Sequence, residues 1–200
     1  MQSSPLRPSV AVAFHSGYGH TAVLAEAVAR GARSATANVV SIAVDAVTDE
    51  QWAALDAADA IIFGSPTYMG TASAAFHAFA QESTKRWFVQ DWAGKLAAGF
   101  TNSGAKAGDK SSTLDYFFTM AAQHGMHWIS LGLKPGWAST TGSENDLNRL
   151  GYFAGAAAQS PTDAGAEAVH KSDIATAEHL GARVAREAAV FAAGRTVMAS

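Results

Sequence analysis

The chain has 200 residues, 48% of them apolar, and 17 acidic against 14 basic side chains leave a formal net charge of −3. That length suits one domain with a full hydrophobic core, and the balance fits neither disorder nor a basic face for a phosphate backbone, so no nucleic-acid partner is expected. There is no cysteine, which excludes disulfides, thiolate catalysis and cysteine-held iron–sulfur clusters; redox chemistry here needs an organic cofactor or a metal on other ligands.

No apolar run approaches the roughly 20 residues of a bilayer span, and the opening MQSSPLRPS has no apolar signal core. A soluble, cytoplasmic protein without a membrane partner is expected, with residues 1–9 a disordered tail and 10–195 a single domain. Five short apolar runs then follow: VAVAF at 10–14, VVSIAV at 39–44, AIIFG at 60–64, LAAGFT at 96–101 and WISLG at 128–132. Runs of this length between turn residues read as buried strands. Helical spacing separates them at 21–34, 48–57, 71–87 and 111–125, and a last helix is expected over 173–193. Alternation of this kind predicts an α/β three-layer sandwich around a five-stranded parallel sheet, in the flavodoxin-like order 2-1-3-4-5. Ligands in such sheets sit beyond the carboxyl ends of the strands, near the switch between strands 1 and 3.

The residues after those strands are unusual. Strand 1 runs into HSGYGHT, where Gly17 and Gly19 permit close backbone approach, Ser16 and Thr21 carry hydroxyls, and the next helix directs free N–H groups at the turn. A phosphate is the expected guest, although Ser16 or Thr21 would equally serve as a helix cap. There is no Walker A lysine and no full dinucleotide fingerprint. Strand 3 runs into GSPTYMG, where Pro66, Thr67, Tyr68 and Gly70 could edge a flat heteroaromatic ring, and strand 4 into the long polar loop TNSGAKAGDKSS.

Taken together, SGYGHT, GSPTYMG, GKLAAGFTNSGAKAG and QHGM resemble the flavodoxin-like NAD(P)H-dependent oxidoreductases, in particular NAD(P)H:quinone oxidoreductases of the tryptophan-repressor-binding-protein A type, over roughly residues 10–132. The resemblance implies FMN. Its phosphate would lie on Ser16, Gly17, Tyr18, Gly19, His20 and Thr21, its ring against Pro66, Thr67, Tyr68 and Gly70, and the ring's polar edge on Thr101, Asn102, Ser103, Gly104 and Ala105. It also implies that His124 closes the site as the catalytic group, that Tyr18 meets the nicotinamide nucleotide, and that Trp87 lines the substrate pocket. The segment between strands 2 and 3 is shorter than in those quinone oxidoreductases, and the chain's end differs from theirs.

The reaction implied is hydride transfer from NAD(P)H to FMN, then reduction of a quinone or similar small acceptor in the same slot. His124 also suits a plain helix end, and the aromatic residues of KRWFVQDW suit a core or an interface. Phe76 and Phe79 read as core, and no metal site is expected. Residues 133–165, rich in Gly, Ser, Thr and Ala, read as a lid or as an arm onto a neighbouring subunit, and Arg149 as a cation for a nucleotide. A homodimer or homotetramer is expected. The alternatives are a flavodoxin-type FMN electron carrier without NAD(P)H turnover, against which the modest net charge counts, and a non-catalytic binding protein of the same fold.

Overall fold

The computed structural model describes residues 7–198. The tail expected over 1–9 falls outside the description for residues 1–6, while Ser9 already belongs to the first strand. Parallel strands β1 (Ser9–Phe14), β2 (Asn38–Ala43), β3 (Ala60–Tyr68), β5 (Leu96–Ser103) and β6 (His127–Trp128) lie in the order β2-β1-β3-β5-β6, which is the predicted topology. Side chains alternate across the sheet with period two. Val10, Val12, Ile62 and Phe100 pack on one face under α1 (His20–Ser34) and α6 (Lys171–Met198). Ala11, Ala13, Ile61 and Phe63 pack on the other, under α2 (Asp49–Ala57), α3 (Ala74–Glu82) and α5 (Lys110–Gln123).

Local chemistry sets the helix ends. A capping box starts α2, with Thr48 and Gln51 each accepting the other's backbone N–H. Ser73 accepts from Phe76 N at the start of α3. The helix predicted over 71–87 is broken at Ser83, after which α4 (Thr84–Val89) buries no side chain. Phe76 and Phe79 are core residues, and Trp92 is fully buried beside them with its indole N–H on Asp56. Helices α1 and α6 meet at Gly31 and Gly181, where a Cβ on either glycine would lie 1.9 Å from a carbonyl oxygen of the other helix.

Two features depart from the expected elements. Strand β3 does not stop at Gly64 but continues through Pro66 to Tyr68 and turns back through Met69 and Gly70 into the short antiparallel β4 (Thr71–Ala72). Proline is tolerated there because β1 pairs only as far as Gly64, leaving one side of β3 open beyond that point. The fifth strand is also split. β6 pairs with Leu96 and Ala97 at the start of β5, whereas β7 (Ala156–Gln159) pairs with Phe100 to Ser103 at its end. Residues 129–155 are an excursion between the two halves.

That excursion is pinned to its own chain rather than free, which corrects the mobile-lid reading. Arg149 donates from Nε and Nη2 to Asp173 at 2.8 and 2.7 Å, with the two side chains 4% and 1% exposed. Asn148 N donates to Thr176 Oγ1, and Tyr152 Oη reaches Ala107 O. Arg149 is therefore committed to a buried ion pair and is no ligand for a nucleotide. Among the described residues no helix is long and apolar enough to cross a membrane.

Candidate functional site

At the carboxyl ends of the strands a cavity of about 320 Å³ is lined by Tyr18, His20 and Thr21 from the first turn, Pro66, Thr67 and Tyr68 from β3, Asn102, Ser103 and Gly104 from β5, and Ser160 to Thr162 after β7. Three of the four walls are those the sequence predicts.

The turn between β1 and α1 is shaped to present backbone. Gly19, the N-cap, stands at φ +89°, a conformation that favours glycine. A Cβ on Gly17 would come 2.8 Å from Tyr68 Oη. Among the described residues the N–H groups of Gly17 to Thr21 find no acceptor; at the head of α1 their geometry and the helix dipole suit an anion. Ser16 Oγ accepts from Ala22 N at 3.0 Å, so this hydroxyl caps the helix and keeps its own proton for a ligand. The Nε2 of His20 is already committed: it donates to Ala164 O and Gly165 O at 3.0 and 3.1 Å, strapping the loop after β7 onto the turn. Among the described residues no Lys, Arg, Asp or Glu lines the cavity.

Two candidate hydroxyls work behind the wall instead of on it. Thr67 Oγ1 lies 2.8 Å from Thr101 Oγ1 and 2.8 Å from Thr113 Oγ1, and Thr101 Oγ1 donates to Ser65 O at 2.7 Å. This buried chain locks β3 to β5, so Thr67 offers the cavity its backbone and Thr101 lies outside the lining. Ala105 also faces away, because its carbonyl accepts from the Lys110 ammonium at 2.6 Å. Lys110 is fully buried and gathers the carbonyls of Ala105, Lys106 and Ala107 onto Nζ. Burial pushes its pKa down to about 8, opposed by Asp173. Gly70, at φ +82°, lies outside the lining and serves the β3–β4 turn.

His124 and Trp87 are not brought to this site. His124 caps the end of α5, beside Gly125, whose carbonyl accepts from Gly94 N at the amino end of β5. A strand rises about 3.3 Å per residue, so the two ends of β5 stand about 20 Å apart, and the imidazole cannot reach a ring bound at the turn of its own chain. It faces a separate cavity of about 640 Å³ with Trp87, His77, Ser83 and Tyr116. Ser83 Oγ donates to Ala80 O and accepts from His124 Nε2 at 2.9 Å, while Trp92 packs on the ring with centroids 4.6 Å apart. Burial lowers the pKa of His124.

The rim of the first cavity is aromatic. Tyr18 is 80% exposed and meets Tyr68 edge to face at 6.4 Å, and burial, with the nearby Tyr18 adding to it, raises the Tyr68 pKa. The wall that the sequence reading missed, Ser160-Pro161-Thr162, is closed from behind: Ser160 Oγ donates to Asn102 Oδ1, and Gln159 Nε2 to Gly104 O. Its signal was present, since Ser-Pro-Thr also stands at 65–67 on the opposite wall.

Residues 11–130 match the family model described as Flavodoxin domain. The chain is 43% identical over 175 residues to Flavodoxin FldP of Pseudomonas aeruginosa, covering 88% of this chain and 94% of that protein. It is 30% identical to an NAD(P)H dehydrogenase (quinone) of Rhizobium rhizogenes, over 92% and 98% of the two chains. Among solved structures it superposes on a flavodoxin, WrbA-like protein from Agrobacterium tumefaciens with a TM-score of 0.72 and 42% identity, covering 90% of this chain and 97% of that one. The chain belongs to the flavodoxin family, and the cofactor which that membership implies is FMN.

Proposed function

We propose that the protein is a flavodoxin-type FMN electron carrier, receiving electrons from a separate reductase rather than from NAD(P)H directly. The observation that carries this reading is a cavity formed within one chain, with a turn suited to an anion at one end, the Pro66–Tyr68 and Asn102–Gly104 strand ends along its walls, and, among the described residues, no acid or base lining it besides His20 and two tyrosines. The residues suit FMN. Five N–H groups without an acceptor among the described residues and the Ser16 hydroxyl match a phosphate; the Pro66–Tyr68 and Asn102–Gly104 walls match a flat ring; the volume lies within the roughly 300–1,000 Å³ usual for small-molecule sites.

Once bound, FMN supplies reversible electron transfer. The chain's part is to hold the phosphate on backbone, to fix the ring between rigid strand ends, and to leave one edge reachable past Tyr18 and the fully exposed Met69. The 43% identity to Flavodoxin FldP supports a carrier more than the 30% identity to quinone dehydrogenases supports an enzyme. Within one chain, His124 and Trp87 line a separate cavity, so the chain's own flavin-sized site lacks the two side chains that direct hydride and quinone chemistry was expected to use. The small net charge bears on how fast partners meet, not on whether electrons pass.

The test is to titrate apoprotein with FMN by fluorescence quenching, then add NADPH and a benzoquinone while following nicotinamide absorbance. FMN binding with no quinone-dependent oxidation until a flavodoxin reductase is added supports the carrier. Direct turnover replaces it with the NAD(P)H:quinone reductase reading.

A further inference from the structure

Lys110 sits where local chemistry disfavours a charge. It is the first residue of α5, at the pole where the helix dipole opposes a cation. Its side chain is fully buried, and the ammonium donates to the carbonyls of Ala105, Lys106 and Ala107 at 2.6, 3.0 and 3.3 Å rather than to a carboxylate. Apolar residues of similar volume often replace a buried charge at no loss of stability, so folding alone does not account for this one. What the ammonium holds is the cavity wall. Ala105 O also accepts from Ser103 Oγ at 3.3 Å, and Ser103 lines the cavity. The loop folds back so closely that a Cβ on Gly108 would collide with Ser103 Oγ. Through those two hydrogen bonds, 2.6 and 3.3 Å long, the charge stands no more than about 6 Å from the Ser103 hydroxyl. Arg149 and Asp173 act on Lys110 from the excursion and from α6 and neutralise each other, so two cations and one carboxylate leave a net charge of +1 behind the β5 wall. A pKa of about 8 keeps Lys110 charged at neutral pH.

We infer that Lys110 is a positioning residue with an electrostatic function: its buried ammonium fixes the Ser103–Gly104 wall beside a flavin ring and favours the reduced ring over the oxidised one. The inference rests on the reading that this cavity takes FMN. Reduction adds two electrons and one proton to the ring, so the reduced form carries one negative charge more than the oxidised form. The electrons come from the carrier's separate reductase, or from dithionite in the test below. A fixed unit charge roughly 10 Å from the ring, at an effective dielectric near 20, favours the added charge by about tenfold. The FMN phosphate is attracted in both states and cancels from the comparison.

The potential of bound FMN reads this directly. Wild type, K110M and K110C are loaded with FMN and titrated with dithionite against a reference dye at neutral pH, and FMN affinity is measured in both redox states. Relative to oxidised FMN, K110M is expected to bind reduced FMN about tenfold more weakly than the wild type does, a two-electron potential about 30 mV lower. A clamp without electrostatic function would instead weaken both redox states alike. Because the chain has no cysteine of its own, the single thiol of K110C can be alkylated with 2-bromoethylamine in urea, and refolding returns an ammonium to the same position. This form is expected to recover the wild-type potential, while unmodified K110C stays low. A check that needs no variant uses linkage, since a charge that favours reduced FMN must itself be favoured by it. The ¹³Cε titration of wild-type Lys110 is therefore expected to lie about one pH unit higher with reduced than with oxidised FMN. Around the ammonium, Arg149 and Asp173 act through space, Tyr152 shares the acceptor Ala107 O, and Lys106 and Asp109 adjoin it in the loop; none of these lines the cavity. A K110M potential within about 10 mV of the wild type, a twofold change, no recovery on aminoethylation, or an unmoved Lys110 titration would overturn the inference while FMN binding stands. Failure of the wild type to bind FMN would remove the cofactor reading and the inference together.

Discussion

Replacing Arg149 by Met tests whether the excursion between β6 and β7 is held by one buried ion pair and whether that pair supports the cavity wall. Asp173 accepts from Arg149 Nε and Nη2 and from Gln159 N at 2.8, 2.7 and 3.0 Å. Both charged side chains are almost wholly buried, so solvent screening does not discount the loss. Removing the guanidinium takes two of the three donors and leaves a buried carboxylate, a change that costs about 3–5 kcal/mol. Asp173 lies in the first turn of α6, where the helix dipole offsets up to about 1 kcal/mol of this. A net loss of about 3 kcal/mol, at a urea dependence of about 2 kcal/mol per molar, lowers the unfolding midpoint by about 1.5 M. The assay is urea unfolding of the apoprotein followed by circular dichroism and tryptophan fluorescence. R149M/D173L, which removes both charges, should recover much of the loss. Because Asp173 also holds Gln159 next to the Ser160–Thr162 wall, folded R149M should bind FMN about tenfold more weakly, or 1.4 kcal/mol. A midpoint within about 0.3 M of the wild type, a shift of roughly 0.6 kcal/mol, would refute the reasoning.

Three further outcomes follow from other contacts. G31A forces α1 and α6 apart and should cost about 1–2 kcal/mol in thermal or urea unfolding, even after the gain in helix propensity; G31A/G181A should cost less than twice that, since both press on one contact. A Cβ on Gly104 would meet Thr162 Cγ2 at 2.4 Å, so G104A should weaken FMN binding about fivefold, near 1 kcal/mol, with little change in stability, and T162A should restore it in the double variant. Burial lowers the pKa of His124 in the folded state, so unfolded chains take up this proton first as pH falls. Its contribution is complete above about pH 6.5 and is lost progressively below that; unfolding free energies measured from pH 7 to pH 5 should therefore decline less steeply in H124Q.

Much of the architecture was legible because buried parallel strands are short, apolar and bounded by turn residues, as β1, β3 and β5 are; β2, at the sheet edge, buries only Ile42 and was legible from its Val-Val and Ile-Ala run. The turn after β1 was legible as a turn because Gly17, Gly19 and two hydroxyls stand between an apolar run and a helix; its geometry at the head of α1 suits an anion. The fifth strand was only half legible. Ala156-Ala157-Ala158 carries no β-branched residue and follows a long polar stretch, so it reads as helix, and its strand form depends on pairing with Phe100 to Asn102. Missing it hid the fourth wall and made the pinned excursion look like a lid. His124 was assigned to the site by the family resemblance alone; a residue just before a strand of a parallel sheet lies at the amino edge, and the register of β6 with Leu96 places it there in its own chain. Thr101 and Thr67 were taken for ligand groups because a hydroxyl facing a ring and a hydroxyl locking two strands look alike in a sequence.

The most direct test of the central claim is flavin binding followed by turnover in one cuvette. FMN should quench on the apoprotein with 1:1 stoichiometry, and NADPH with a benzoquinone should leave the nicotinamide absorbance flat until a flavodoxin reductase is added. Rapid quinone-dependent oxidation of NADPH by the FMN-loaded protein alone would contradict the carrier reading.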